Sequence, residues 1–219
     1  MIPLCDNIPT KTFPWVRWLI LAANIYVFWI ELHLPAKGLE PFVTHWGVVP
    51  RMLFGTPGAH AYTLITAMFV HGGWMHIIGN MLFFYIFADN VEDTFGHFKF
   101  LLFYILVGII ANGTQAYLMP TSVTPLIGAS GAIAGVLGAY FFYFPHSKIT
   151  TLIPLGFFIT IREVPSFFFL GIWFLLQMIN GTHSGHPLTG GIAWWAHASG
   201  FVAGILLAPL FGGKKSNYR

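Results

Sequence analysis

The stretch Gly128-Ala129-Ser130-Gly131 leads without a break into the apolar segment Ala132-Ile133-Ala134-Gly135-Val136-Leu137-Gly138-Ala139-Tyr140. A serine between residues with almost no side chain presents an exposed hydroxyl, here at the start of a helical apolar run. Such a hydroxyl becomes a nucleophile only if the chain also supplies a base and donors for an oxyanion. The same small residues could equally serve close packing, with Ser130 bonding a neighbouring helix.

The composition places this serine in a membrane. Of the 219 residues, 56% are hydrophobic and 8% are charged, whereas about a quarter are charged in typical soluble domains. Apolar runs of near-spanning length predict an all-α membrane protein, a six-transmembrane-helix bundle in contact with the lipid bilayer. The runs are residues 15–33, 62–88, 98–119, 130–144, 166–181 and 192–211. The fourth and fifth are short for a full crossing.

The predicted organisation is a short cytoplasmic N-terminus at 1–14, one six-span domain at 15–212 and a short basic cytoplasmic tail at 213–219. Six spans leave eight Lys and Arg residues on one side and two on the other, so the positive-inside rule puts both termini in the cytoplasm. The 34–61 loop is expected in the outer interface and residues 145–165 in the cytoplasmic one. A net charge of +3, scattered along loops, argues against nucleic acid as a partner.

Ser130 and a histidine in the last run are predicted to lie at one depth. Ser130 is fifteen residues before Pro145, and His197 is fifteen before Gly212, where their runs reach the cytoplasmic side. At 1.5 Å per residue, both lie about 22 Å above that edge. Glycines follow each residue in its run and permit close approach of the two helices. We therefore expect the imidazole to reach the hydroxyl.

Two further polar side chains are predicted in the same layer. Counted from Asp89, His76 lies about 20 Å up, and Asn80 lies one turn below it on the same helix face. An intramembrane polar group of this kind is a functional candidate. Ten histidines raise the possibility of a metal site. Their spacing along the chain does not make their side chains face one point, so no metal or cofactor is expected. Without a carboxylate at this depth, a Ser130–His197 dyad is the simplest interpretation.

Four motifs together resemble the rhomboid family of intramembrane serine proteases, over about residues 46–210. They are Gly128-Ala129-Ser130-Gly131-Ala132, Ala196-His197-Ala198-Ser199-Gly200-Phe201, His71-Gly72-Gly73-Trp74-Met75-His76-Ile77-Ile78-Gly79-Asn80 and Asn90-Val91-Glu92-Asp93-Thr94-Phe95-Gly96.

The resemblance implies an intramembrane serine endopeptidase that cleaves single-span membrane proteins in or near their transmembrane segment. Ser130 would be the nucleophile and His197 the general base and then acid. Asn80 and His76, with the Ser130 backbone N–H, would bind the oxyanion. Glu92 would be structural, tying the second and third spans together. The expected location is an integral, multi-pass protein of the bacterial plasma membrane.

The chain departs from the family pattern at two places. Tyr62-Thr63 stands where many bacterial relatives have a Trp-Arg pair, and Ala134 stands where some have a tyrosine that stacks on the histidine. The orientation of His197 must therefore come from another group. Two other functions stay open: a noncatalytic protein of this fold that binds transmembrane clients, and a transporter, which would need paired ionisable groups or broken helices at the midplane.

Overall fold

The fold is known from a computed structural model that describes residues 1–156, 158–183 and 193–212. The predicted basic tail at 213–219 lies outside the described residues. Six helices of fourteen residues or more are present in the described part of the chain: α1 (Trp15–His33), α6 (Trp74–Phe95), α7 (His97–Leu118), α8 (Ser130–Tyr143), α9 (Ser166–His183) and α10 (Trp194–Gly212). Of these, α1, α7 and α10 are long and apolar enough to cross a membrane, judged by length and composition.

The segment between α1 and α6 is helical as well, although residues 34–61 of it are predicted as an interfacial loop and residues from 62 onward as part of the second apolar run. It folds into α2 (Ala36–Trp46), α3 (Pro50–Gly55), α4 (Pro57–His60) and α5 (Thr63–Thr66), followed by one 3-10 turn. The second apolar run was therefore placed wrongly at its start. Gly73, the residue immediately before α6, has φ +148°. Residues with a side chain disfavour this backbone conformation.

The all-α prediction is wrong, because three strands form an antiparallel sheet in the order β1-β2-β3. They are β1 (Ile2–Asp6), β2 (Lys148–Leu155) and β3 (Phe158–Pro165). Pro154 of β2 lies beyond Leu152, the last residue of β2 that pairs with β1. There β2 has a neighbour on one side only, where proline is tolerated.

The helix α8 lies at the centre of the bundle. Nearly all of its side chains are buried, and it packs against α6, α7, α9 and, most extensively, α10. A helix that is apolar on every side belongs in such a position. Its fourteen residues are short for a crossing because its first turn lies inside the protein rather than at a lipid surface.

Glycines allow the backbones of α8 and α10 to touch. A methyl group at Gly200 would lie 2.2 Å from the Gly131 carbonyl oxygen, and one at Gly204 would lie 2.0 Å from that of Gly135. From the opposite helix, a methyl at Gly138 would lie 2.1 Å from the Phe201 carbonyl oxygen. These contacts confirm the predicted close approach and fix how far α10 can slide along α8.

Two carboxylates of α6 tie the end of this helix to the starts of α1 and α7. Glu92 accepts hydrogen bonds from the backbone N–H groups of Val16 (3.0 Å) and Arg17 (2.8 Å) and contacts the His97 ring at 2.6 Å. It thus joins α6 to the start of α1 as well as to the start of α7. Arg17 also forms an ion pair with Asp89 at 3.2 Å.

The N-terminal strand is joined to the central helix by one carboxyl group. The Tyr140 hydroxyl donates to Asp6 Oδ2 at 2.5 Å and contacts Ser147 Oγ at 3.0 Å. Burial raises the pKa of Asp6 from 3.8 to about 6; the Tyr140 hydrogen bond opposes this rise, and the charge of Asp89 adds to it. The folded protein therefore holds the Asp6 proton to a higher pH than an unfolded chain does.

Gly204→Ala should destabilise the protein, because its methyl group would meet backbone atoms of α8 that cannot move independently. We expect a loss of about 1–3 kcal/mol, typical of overpacking, seen as a lower melting temperature in detergent. Gly113→Ala on α7 is the matched control, since a methyl there meets nothing within 4 Å and alanine favours helices. Equal melting temperatures for the two variants would contradict this account of the α8–α10 contact.

Asp6→Asn should change how stability depends on pH. Because the folded-state pKa is raised, the stability associated with Asp6 is complete below about pH 4 and is lost as pH rises through about 6. Asparagine keeps an acceptor for Tyr140 without the buried charge. The melting temperature of Asp6→Asn minus that of the natural protein should therefore increase between pH 4 and pH 7; a constant difference would refute the assignment.

Candidate active site

Ser130 and His197 are in hydrogen-bond contact. The Ser130 Oγ lies 2.7 Å from His197 Nε2. Ser130 is the first residue of α8, and His197 lies in the first turn of α10. Because these parallel helices touch through their glycines, the two side chains occupy one level. His197 is buried, whereas Ser130 is partly exposed; a hydroxyl that can be reached and an imidazole shielded from solvent suit a nucleophile and its base.

The N-terminus of α8 adds a positive electrostatic field at this position. The first backbone N–H groups of a helix have no acceptor within it, and the helix dipole is positive there. The Ser130 N–H belongs to this first turn. A negative oxygen formed beside Ser130 would meet oriented donors, as anions do at other helix N-termini.

His76 and Asn80 converge on the same position from α6. A methyl group at Gly128 would lie 2.5 Å from His76 Nε2 and 3.6 Å from Asn80 Nδ2. Both nitrogens therefore face the backbone two residues before Ser130. Gly128 has φ +114°, so both its conformation and its surroundings require glycine.

The proton on the His76 ring can be assigned from a backbone contact. The Gly72 N–H donates to His76 Nδ1 at 3.3 Å. A neutral imidazole that accepts at Nδ1 carries its proton on Nε2. His76 thus presents an N–H donor toward Gly128.

Asn80 has an unused donor. Its side chain is buried, and its Nδ2 atom has no hydrogen-bond partner within the part of the chain that the structure describes. Buried amide donors are nearly always paired, and leaving one unpaired costs about 1–3 kcal/mol. This unpaired donor lies near Gly128, two residues before Ser130, where it is available to a further acceptor.

His71 is anchored to α1. Its backbone N–H donates to the Glu31 carboxylate at 3.0 Å, and its ring contacts the Phe69 carbonyl oxygen at 3.2 Å. These contacts hold the chain that enters α6. They fix Gly72, and through it the ring of His76.

Two glutamines of the site were missed by the sequence analysis. Gln115 Oε1 accepts from the Ala196 N–H at 3.1 Å and so satisfies a backbone donor in the first turn of α10. Gln177 Oε1 lies 2.8 Å from His197 Nδ1. Gln177 is the one amide side chain between Phe167 and Ile179, and an isolated polar residue in an apolar helix could have indicated it.

The comparison with known families agrees with this architecture. A family model described as the Rhomboid domain matches residues 58–214. A helical membrane domain with a serine and a histidine in contact is thus matched over more than half of its length by one family. The chain belongs to the rhomboid family.

Curated relatives within the family are diverse. The chain is similar to rhomboid protease GlpG of Haemophilus influenzae (30% identical, covering 60% of this chain and 67% of GlpG). It is also similar to rhomboid-like protein 11, chloroplastic, of Arabidopsis thaliana (27% identical, 84% of this chain) and spans 64% of that protein's length. Inactive rhomboid protein 1 of Drosophila melanogaster is 29% identical over 42% of this chain and 6% of its own length.

Proposed function

We propose that this protein is an intramembrane serine endopeptidase that cleaves single-span membrane proteins in or near their transmembrane segment. The observation that carries the proposal is the 2.7 Å contact of Ser130 Oγ with His197 Nε2. The unpaired Asn80 donor and the protonated Nε2 of His76 beside it support the proposal. Its setting is a six-span bundle in a bacterial plasma membrane, with both termini in the cytoplasm, as the charge distribution indicates.

In the first half of the reaction, Ser130 Oγ attacks the carbonyl carbon of the scissile bond while His197 Nε2 takes the hydroxyl proton. The carbonyl oxygen becomes an oxyanion, which accepts hydrogen bonds from Asn80 Nδ2, His76 Nε2 and the Ser130 N–H. The intermediate then collapses: the C–N bond breaks, His197 returns the proton to the leaving amine, and an acyl ester remains on Ser130.

In the second half, water attacks the ester carbon and His197 Nε2 takes a proton from it. The same donors hold the second oxyanion. Collapse breaks the ester bond, and His197 protonates Ser130 Oγ, which restores the free enzyme and releases the new carboxyl terminus. Because the site lies in a membrane, water screens these hydrogen-bond donors little. Donors of this kind stabilise charge most strongly in such a water-excluded site.

The second candidate is a noncatalytic protein of the same fold that binds transmembrane clients. The similarity to a relative named as inactive is the observation in its favour. Against it stand the contact of Ser130 with His197 and the donors beside it, since a binding protein does not need an activated hydroxyl. Labelling of the hydroxyl distinguishes the two functions.

A serine-directed fluorophosphonate should label Ser130 in the detergent-solubilised protein, as mapped by mass spectrometry. Ser130→Ala and His197→Ala should both abolish labelling and the cleavage of a reconstituted transmembrane substrate, because one removes the nucleophile and the other its base. Ser199→Ala is the control and should keep both. If the natural protein resists this reagent and a second class of serine-directed electrophile, the binding function is the correct one.

Asn80→Ala should lower kcat by about a hundred- to a thousandfold with little change in KM, because an oxyanion donor acts mainly in the transition state. Its melting temperature should stay near that of the natural protein, since Nδ2 has no partner to lose. Asn112→Ala is the opposite control: Asn112 Nδ2 donates to the Leu64 carbonyl oxygen at 2.9 Å, so its loss should lower stability and spare kcat. Unchanged kcat in Asn80→Ala would remove Asn80 from the site.

A further inference from the structure

His197 contacts an uncharged amide at the nitrogen that faces away from Ser130. His197 Nδ1 lies 2.8 Å from Gln177 Oε1. Both side chains are buried, with Gln177 7% and His197 8% exposed, so water competes little for this hydrogen bond. Gln177 lies on α9, a different helix from either member of the dyad.

The orientation of the Gln177 amide is fixed by its own helix. Gln177 Nε2 donates to the carbonyl oxygen of Trp173, four residues earlier, at 3.2 Å. Turning the amide over would place its oxygen against that carbonyl and its NH2 group against His197. The amide oxygen, an acceptor, therefore faces His197 Nδ1.

The location of the proton on His197 follows from this orientation. Because the Gln177 oxygen accepts, His197 Nδ1 must carry the proton that it donates. Neutral imidazole then has its lone pair on Nε2, the nitrogen 2.7 Å from Ser130 Oγ. This is the tautomer that can take a proton from serine; the other would present an N–H to the hydroxyl and could not act as its base.

The indole rings around His197 do not select between the two tautomers. The Trp173 ring lies 6.0 Å from the imidazole centroid at an interplanar angle of 33°, and the Trp194 ring lies 6.1 Å away at 85°. They restrict the tilt of the ring but provide no acceptor at Nδ1. Ala134 is fully buried beside Gly200; the contact at Nδ1 comes from Gln177 of α9, and Ser130 of α8 contacts Nε2.

We propose that Gln177 is a positioning residue of the active site, which holds His197 in the tautomer and orientation that make Nε2 the base for Ser130. The proposal rests on the proposed peptidase function. Gln177 acts through His197 and does not touch the substrate. It takes the place that a carboxylate has in a Ser-His-Asp triad, and it does so without burying a negative charge in the membrane, which would be costly.

Gln177→Met, which keeps the length of the side chain and removes the amide, should lower kcat by about tenfold to a hundredfold and leave KM nearly unchanged; general acid–base catalysis as a whole contributes about 10²- to 10⁴-fold. Gln177→Glu, which restores an oxygen acceptor, should recover most of this loss. Asn24→Leu is the matched control: Asn24 is also buried and donates to a carbonyl four residues earlier, that of Ile20, at 2.8 Å, but it lies on α1. It should keep kcat.

A second measurement does not depend on turnover. In protein labelled with ¹⁵N-histidine, the imidazole signals assigned by comparison with His197→Asn should show the proton on Nδ1 and none on Nε2. In Gln177→Met, the two tautomers should become mixed.

The outcomes separate the two proposals. If the natural protein neither cleaves nor is labelled at Ser130, the peptidase function fails, while the NMR signals still report whether Gln177 sets the tautomer of His197. Equal kcat in Gln177→Met and the natural protein, failure of a Gln177→Glu variant with a native melting temperature to recover activity, or a proton on Nε2 in the natural protein would each overturn the positioning role.

Discussion

The backbone contact between α8 and α10 is the constraint on which the rest of the structure depends. Each helix presents glycine where the other presents a carbonyl oxygen, and the methyl distances of 2.0–2.2 Å at Gly138, Gly200 and Gly204 leave no room for a side chain. Lipid provides no hydrophobic force between helices, so association relies on close packing of this kind. Because the contact also sets the register, it determines that the first turns of α8 and α10 bring Ser130 and His197 together.

Polar groups around that contact are held by neutral partners. Gln115 satisfies a backbone donor of α10, Gln177 accepts from His197, and Gly72 donates to His76. Within a low-dielectric interior an amide costs less to bury than a carboxylate, yet it still fixes direction. Asn80 is the exception, since its buried Nδ2 has no partner among the described residues. The proposed oxyanion role of Asn80 rests on this unpaired donor.

Charged groups are concentrated at the other end of the bundle. Glu92, Asp89 and Arg17 bind the starts of α1 and α7 to the end of α6, and Asp6 connects β1 to Tyr140 of α8. The central helix α8 is therefore joined to the sheet through Tyr140, while its first residue, Ser130, contacts His197. The described hydrogen-bond partners of Ser130 and His197 are neutral, whereas Asp89 and Glu92 lie at the opposite end of α6 from His76.

The sequence by itself determined the helical membrane class, the helix that Ser130 opens, the close approach that the glycines permit, and the common level of Ser130, His197, His76 and Asn80. These follow from local rules: apolar length, small residues and a fixed rise per residue all act along one helix. The motifs of the sequence also indicated the rhomboid family, which the family model confirmed.

Only the tertiary structure decided the sheet, the helices between α1 and α6, and the role of Gln177. The strand β1 forms because β2, some 140 residues later, supplies its partner, and no local pattern in Ile2–Asp6 records that partner. The predicted second apolar run extends across Gly73, although α6 begins only after that residue. Apolarity alone does not distinguish a buried turn from a helix. Gln177 lies in α9, and nothing in its neighbourhood along the chain shows that α9 meets His197; that depends on how three helices pack.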